Sequence, residues 1–325
     1  MKRTARFSYV YKRENNELKH YRKESMPLAE KTEQKRVRPE VTVNHENLQA
    51  LFGELDQLIG LSKVKNLVRE MKAYVEICRR RQQFQLKNDS MVLHMVFKGN
   101  PGTGKTTVAR IFGRMFTALQ VLPKGHLVEV ERADLVGEYI GHTAKKTRDQ
   151  VNKAMGGILF IDEAYSLARG GEKDFGKEAI DTLVKAMEDH KNEFVLILAG
   201  YEKEMEKFLR SNPGLRSRFP IHLDFPDYTN EELIEIAGVM LRERQYCLSV
   251  GAEDCLSQYL KSQISSGNAN FSNARLVRNL LERAIRRQAL RLVGRQVYSR
   301  EELMKITRED LAPWGDDSNS WESPV

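Results

Sequence analysis

Gly99, Asn100, Pro101, Gly102, Thr103, Gly104, Lys105 and Thr106 spell G-x-x-x-x-G-K-T, and no other stretch limits the possible folds as tightly. An apolar run from Met91 to Phe97 precedes it, and Val108, Ile111, Phe112, Met115, Phe116 and Leu119 follow on one face of a helical pattern. Strand, glycine-rich loop and helix in that order are the setting in which the motif makes a phosphate-binding loop. The glycines let backbone N–H groups point inward at an anion, and the helix start adds the positive end of its dipole. Lys105 then reaches the β- and γ-phosphates of a nucleoside triphosphate, and the Thr106 hydroxyl holds Mg²⁺. Residues Gly99 to Thr106, with Thr107 beside them, form the expected ATP-binding segment.

The surrounding pattern predicts an α/β fold. Apolar strands at 93–97, 126–131, 158–161, 194–198 and 221–225 alternate with amphipathic helices, which argues for a parallel sheet sandwiched by helices. Thr229-x-x-Glu232 reads as a capping box, and Leu233, Ile236, Ala237, Met240 and Leu241 continue it as a helix. From there the chain reads as helical, at 252–265, 273–293 and 300–304. The expected organisation is an N-terminal extension at 1–46, a nucleotide-binding domain at 47–226, a C-terminal all-helical lid at 227–312 and a polar tail at 313–325. Alternation of Phe7, Tyr9 and Tyr11 allows a short strand or hairpin within the extension.

The net charge of +8 is unevenly spread. Residues 1–43 carry twelve Lys and Arg against six Asp and Glu, leaving a surplus of two for the remainder. Such a basic arm suits a solvated extension, nucleic acid or an acidic partner, while the body makes no strong claim on polyanions; nucleic acid is not the expected partner. Three cysteines, Cys78, Cys247 and Cys255, show no metal-ligand spacing and read as reduced thiols. No apolar stretch has the length of a signal sequence core or membrane span, so a cytoplasmic protein is expected.

Two further segments carry chemistry. The apolar run Ile158 to Ile161 ends in Asp162 and Glu163. Downstream of a phosphate loop, a strand-end Asp helps hold Mg²⁺, and the adjacent Glu can orient and deprotonate the attacking water. Arg216 and Arg218, within Asn212-Pro213-Gly214-Leu215-Arg216-Ser217-Arg218-Phe219, sit at the domain edge. They are suited either to capping a turn or to reaching a neighbouring subunit's γ-phosphate, where such an arginine is worth roughly 10³–10⁵ in rate.

With these segments in place, residues 50–310 resemble the AAA+ ATPases. The resemblance implies that Arg218 is a finger acting in trans with Arg216 beside it, and that Arg275, in Phe271-Ser272-Asn273-Ala274-Arg275, is the lid arginine called sensor 2. It implies that Ile59 and Gly60 flank the adenine, and that Tyr139, Ile140 and Gly141 form an aromatic–aliphatic–glycine pore loop. The segment 168–176 would supply a second one. Where the family usually places Asn or Thr as sensor 1 the chain reads Ala199-Gly200-Tyr201, leaving Tyr201 as the candidate. Strings such as Glu131-Arg132-Ala133-Asp134-Leu135-Val136-Gly137-Glu138-Tyr139-Ile140-Gly141-His142 and Phe160-Ile161-Asp162-Glu163-Ala164-Tyr165 are similar to the branch containing a stage V sporulation protein and the red-type rubisco activases. That similarity implies a homo-hexameric, ATP-hydrolysing remodeller of a protein partner in sporulation. A rubisco-activase-like remodeller, a nucleic-acid-associated AAA+ ATPase and a small-molecule P-loop kinase are the alternatives.

Overall fold

The computed structural model describes residues 9–14, 17–22, 45–88, 91–139, 141–170, 174–266, 271–294 and 297–311. The chain separates into two units, 1–41 and 42–325. In the first, strands β1 (Tyr9–Glu14) and β2 (Glu17–Arg22) pair antiparallel with Tyr9 opposite Arg22, so the alternation around Tyr9 and Tyr11 does form a hairpin. Phe7 lies outside the described residues.

The second unit opens with helices α1 (His45–Gln57) and α2 (Ser62–Gln83). A five-stranded parallel sheet follows, made of β3 (Met95–Gly99), β4 (Leu127–Val130), β5 (Ile158–Ile161), β6 (Val195–Gly200) and β7 (Ile221–Phe225) in the order β4-β5-β6-β3-β7. Every residue of β5 and β6 is buried, as expected of strands covered on both faces. The side-chain period of two sorts them into two cores. Met95, Phe97, Ile158 and Phe160 join one core with Phe112 and Phe116 of α3 (Lys105–Ala118). Val96, Leu159 and Ile161 join the other with residues of α5 (His142–Ala154) and α6 (Gly176–Asp189). Before α5 comes the single turn α4 (Arg132–Leu135), and after β5 a 3₁₀ turn at Ala164–Ala168. Helices α7 (Glu202–Ser211) and α8 (Pro213–Arg216) lie between β6 and β7.

The lid is built from α9 (Asn230–Glu243), α10 (Val250–Ser265), α11 (Asn273–Leu292), α12 (Arg300–Met304) and α13 (Arg308–Leu311). The capping box forms as expected, with the Thr229 hydroxyl accepting from the Glu232 N–H and the Glu232 carboxylate accepting from the Thr229 N–H. Leu233, Leu241, Leu256, Leu260, Val277 and Leu281 make its own apolar core. One detail departs from a purely helical reading. Strands β8 (Cys247–Leu248) and β9 (Lys305–Ile306) pair in parallel and tie the start of α10 to the link between α12 and α13. Two-residue strands carry no alternation for a sequence pattern to reveal. No helix among the described residues is long and apolar enough to cross a membrane.

Candidate functional site

All five sheet strands run in parallel, so their C-terminal ends gather at one edge, where ligands of open α/β sheets bind. The phosphate loop leaves the end of β3 there and enters α3 at Lys105. Asp162 and Glu163 leave the end of β5 beside it. Together with the lid these enclose a cleft of about 470 Å³. Ile59, Gly99, Pro101, Gly102, Gly104, Lys105, Thr106, Thr107, Asp162, Glu163 and Arg275 line it, as does the sensor 1 candidate Tyr201. The expected nucleotide residues thus converge from segments far apart in sequence. Gly60, Asn100 and Thr103 stand just behind the lining. Gly60 faces Glu232 and Tyr228, Asn100 bonds Asp227, and the buried Thr103 hydroxyl donates to the Asn100 carbonyl at 2.8 Å.

Lys105 donates to the carbonyls of Gly99 and Asn100 at 2.8 and 2.9 Å. An ammonium has three donors, so one remains for a phosphate. Burial lowers the pKa of Lys105, while the nearby Asp162, Asp227 and Glu163 oppose that shift. Glu163 is exposed and holds a left-handed backbone at φ 46°, a conformation that costs a non-glycine residue of order 1–3 kcal/mol and recurs at functional sites as well as in turns. Its N–H donates to Asp162 Oδ1 at 2.9 Å. Burial, then the charge of Glu163, pushes the Tyr165 hydroxyl up to about 12, so it stays a donor.

The lid touches the loop directly. A Cβ on Gly102, whose φ is 71°, would meet the Ser272 carbonyl oxygen at 2.3 Å and the Arg275 nitrogen at 2.7 Å. Only glycine permits that approach. Beyond Asp162, Glu163 and Arg275 a second cavity of about 780 Å³ opens, lined also by Glu131, Arg132, Glu138 and Lys146. Arg132 donates to the Ser166 carbonyl at 2.6 Å and pairs with Asp174, and that bond holds the Asp174 carboxyl below its ordinary range.

Arg216 and Arg218 are not brought to this cleft. Arg216 is exposed, and Arg218 donates to the Gly214 carbonyl at 2.6 Å and to the Glu188 carboxylate. Tyr139 is 65 % exposed and its ring meets that of His142 nearly perpendicular at 5.5 Å, while Gly141, which caps the start of α5, stands in open space. Ile140, and residues 171–173 of the second loop, lie outside the described residues. Sequence reasoning missed Tyr228, Ile236, Met240 and Arg278, which also line the cleft. Tyr228 stands at the expected limit between the two domains, and a tyrosine there beside the Thr229–Glu232 capping box was the available signal.

No group of three or more His, Cys, Asp and Glu that could hold a metal ion exists among the described residues. One hydroxyl, Thr106, and one carboxylate, Asp162, beside an ammonium suit an Mg²⁺ that arrives with phosphate oxygens, as this cation usually does.

The family profile described as "ATPase family associated with various cellular activities (AAA)" matches residues 95–227, and that of the AAA lid domain matches 229–321. Stage V sporulation protein K of Bacillus subtilis is 56 % identical over 269 residues, 82 % of this chain and 84 % of that protein. Protein CbbX of Cereibacter sphaeroides is 51 % identical over 241 residues, 74 % of this chain and 77 % of that protein. The chloroplastic ribulose bisphosphate carboxylase/oxygenase activase of Cyanidioschyzon merolae is 44 % identical over 288 residues, 87 % and 98 % of the two chains. Among solved structures, a mutant of Thermotoga maritima RuvB superposes with a TM-score of 0.52 at 22 % identity, covering 79 % of this chain and 69 % of that one. That likeness is one of fold alone. A phosphate loop, an acidic strand end and a lid arginine in one cleft, in a chain this similar to these relatives over most of its length, make it an ATP-hydrolysing member of the AAA family, related to stage V sporulation protein K and to CbbX.

Proposed function

We propose that this ATPase works as a ring of identical subunits, a homo-hexamer, that remodels a protein partner, and that the partner belongs to sporulation. The domain limits in this reading are 47–226 for the nucleotide-binding domain and 227–312 for the lid. The observation that carries it is the division of labour around the cleft. Lys105, Thr106, Asp162, Glu163 and Arg275 share one cavity, whereas Arg216 and Arg218 face elsewhere on the same subunit. A second subunit supplying an arginine across the open cavity at Glu131 and Lys146 completes the constellation.

Each residue then has a task. Lys105 holds the β- and γ-phosphates, and the loop N–H groups cradle them. Thr106 and Asp162 hold Mg²⁺, which neutralises charge on the phosphate oxygens. Glu163 takes the proton of the attacking water, and its exposure leaves it able to reach one. Arg275 meets the γ-phosphate from the lid, and Arg218 of a neighbouring subunit stabilises the charge that develops in the transition state. Tyr139 grips the partner in the pore, and its exposure supports that reading because a core tyrosine would be covered. The higher identity to the sporulation relative than to CbbX or the activase supports the choice of partner class.

Mixing Lys105→Ala with Arg218→Ala tests the shared site. Each variant alone should lose nearly all hydrolysis, roughly 10³-fold or more for the arginine. Mixed rings should recover part of it, because some interfaces pair an intact loop with an intact arginine. No recovery at any ratio would remove the trans-acting arginine.

A further inference from the structure

A set of hydrogen bonds joins Asn100, Gly102 and Thr103 of the phosphate loop to the hinge and lid, none of them made by the side chains of Lys105, Thr106, Asp162, Glu163 or Arg275. Asp227, at the hinge after β7, accepts from Nδ2 of Asn100 at 3.0 Å on Oδ1 and 2.9 Å on Oδ2. It also accepts from Nδ2 of Asn273 at 2.7 Å. Asn273 is fully buried at the head of α11, with φ at 47°. Its Oδ1 accepts from the Tyr228 N–H at 2.9 Å, and its Nδ2 donates also to the Phe271 carbonyl at 3.0 Å. Tyr228 in turn donates its hydroxyl to the Thr103 carbonyl at 3.2 Å, and the Ala274 N–H reaches the Gly102 carbonyl at 3.3 Å. Asn100, Gly102 and Thr103 therefore each hold a partner on the hinge or lid.

Two features indicate more than a scaffold. A buried, left-handed asparagine is costly unless its amide is fully engaged, and here oxygen and nitrogen both are. Arg275 stands two residues beyond Asn273, with its backbone nitrogen against Gly102, so any tilt of the α11 start moves it relative to the loop. We propose that Asp227 and Asn273 are positioning residues for ATP hydrolysis: a clasp that presets Arg275 against the phosphate loop and, through Asn100, couples the lid's position to that loop's shape. The proposal rests on Arg275 meeting the γ-phosphate. ADP lacks that phosphate, so the setting of Arg275 bears on ATP far more than on ADP.

Asn273→Asp in the full chain tests it. The change keeps size, tolerance of positive φ and an acceptor for Tyr228, but sets a second carboxylate against Asp227. Affinity for the non-hydrolysable ATP analogue AMP-PNP, measured by calorimetry with Mg²⁺, should fall about tenfold while ADP affinity stays within about twofold. Without nucleotide, amide hydrogen exchange at 273–276 should accelerate. Adding Asp227→Asn restores a donor–acceptor pair of reversed sense at the 227–273 contact, though not the bond to the Phe271 carbonyl, and should return both readings part of the way towards wild type. Equal loss for AMP-PNP and ADP, or no recovery in the double variant at a wild-type melting temperature, would reduce the clasp to scaffold and overturn the proposal. If Asn273→Asp does not fold, Asn100→Ala removes only the loop end and should still weaken AMP-PNP selectively; an unchanged AMP-PNP to ADP ratio overturns the clasp. Arg275→Ala separates the two layers. If it too spares AMP-PNP, the sensor reading falls and the clasp with it. If it weakens AMP-PNP while the clasp variants do not, only the clasp falls.

Discussion

His94 shows how one side chain can carry a pH dependence for the whole nucleotide domain. It is 2 % exposed, its Nδ1 accepts from the Leu196 N–H at 3.0 Å, and its ring lies between Phe194 and Phe219. Burial lowers its pKa from 6.5 to about 4. The folded protein therefore holds it neutral where the unfolded chain binds a proton. Its contribution is fully present above pH 6.5 and is lost as pH falls from 6.5 through about 4, over about 3 kcal/mol in all, of which about 2 to 3 kcal/mol falls between pH 7.5 and 4.5. Urea unfolding at pH 7.5 and 4.5 checks this. His94→Asn keeps an acceptor near Leu196 but cannot titrate, so it should lose about that much less stability between the two pH values. Glu163→Gln belongs to the same scale. It should bind ATP with near wild-type affinity and lower turnover at least about 10²-fold, the usual range for loss of a general base. A variant hydrolysing at the wild-type rate would move the water-positioning role to another residue.

At the scale of elements, Gly99 to Thr106 and the acidic end of β5 were legible because each is a contiguous string whose chemistry depends on local backbone. The capping box at Thr229 and Glu232 was legible for the same reason. Contacts between distant segments were not. Asp227 reaches Asn100 and Asn273 across 127 and 46 positions, and Arg218 finds Glu188 across 30. Nothing in a polar residue's identity announces such a partner. Arg291 of α11 and Asp310 of α13 are another such pair. The carboxylate is 2 % exposed, accepts two bonds at 2.8 Å from the guanidinium, and caps the N–H and hydroxyl of Thr307. Arg291 and Thr307 hold the Asp310 carboxyl below its ordinary range against the opposing effect of burial. This contribution too is present at neutral pH and lost as the carboxyl is protonated in acid. Asp310→Ala leaves a partly buried guanidinium unpaired and should destabilise the lid by about 3 kcal/mol. The measurement is the urea concentration at which the lid becomes open to proteolysis. A shift confined to the nucleotide-binding domain would contradict it.

The whole molecule poses one question that a single subunit does not answer, namely what completes the cleft. A parallel sheet sandwiched by helices and a helical lid follow from alternation and helical periodicity, whereas the strand order does not, and the relatives align with this chain over most of their length. The arginines at 216 and 218 read from sequence either as turn caps or as residues for another subunit; within the fold Arg218 bonds the Gly214 carbonyl and Glu188, Arg216 is exposed, and neither lines the cleft. Arg218→Ala should leave nucleotide affinity within about threefold while cutting turnover, because an arginine acting mainly on transition-state charge adds little to ground-state binding. Equal loss of affinity and turnover would instead mark it as a ground-state contact.

Native mass of Glu163→Gln with ATP, beside the same protein with ADP, tests the shared-site account most directly. The account predicts a hexamer with ATP, since six loops and six arginines then close on one another, and smaller species with ADP. A monomer under both conditions would contradict it.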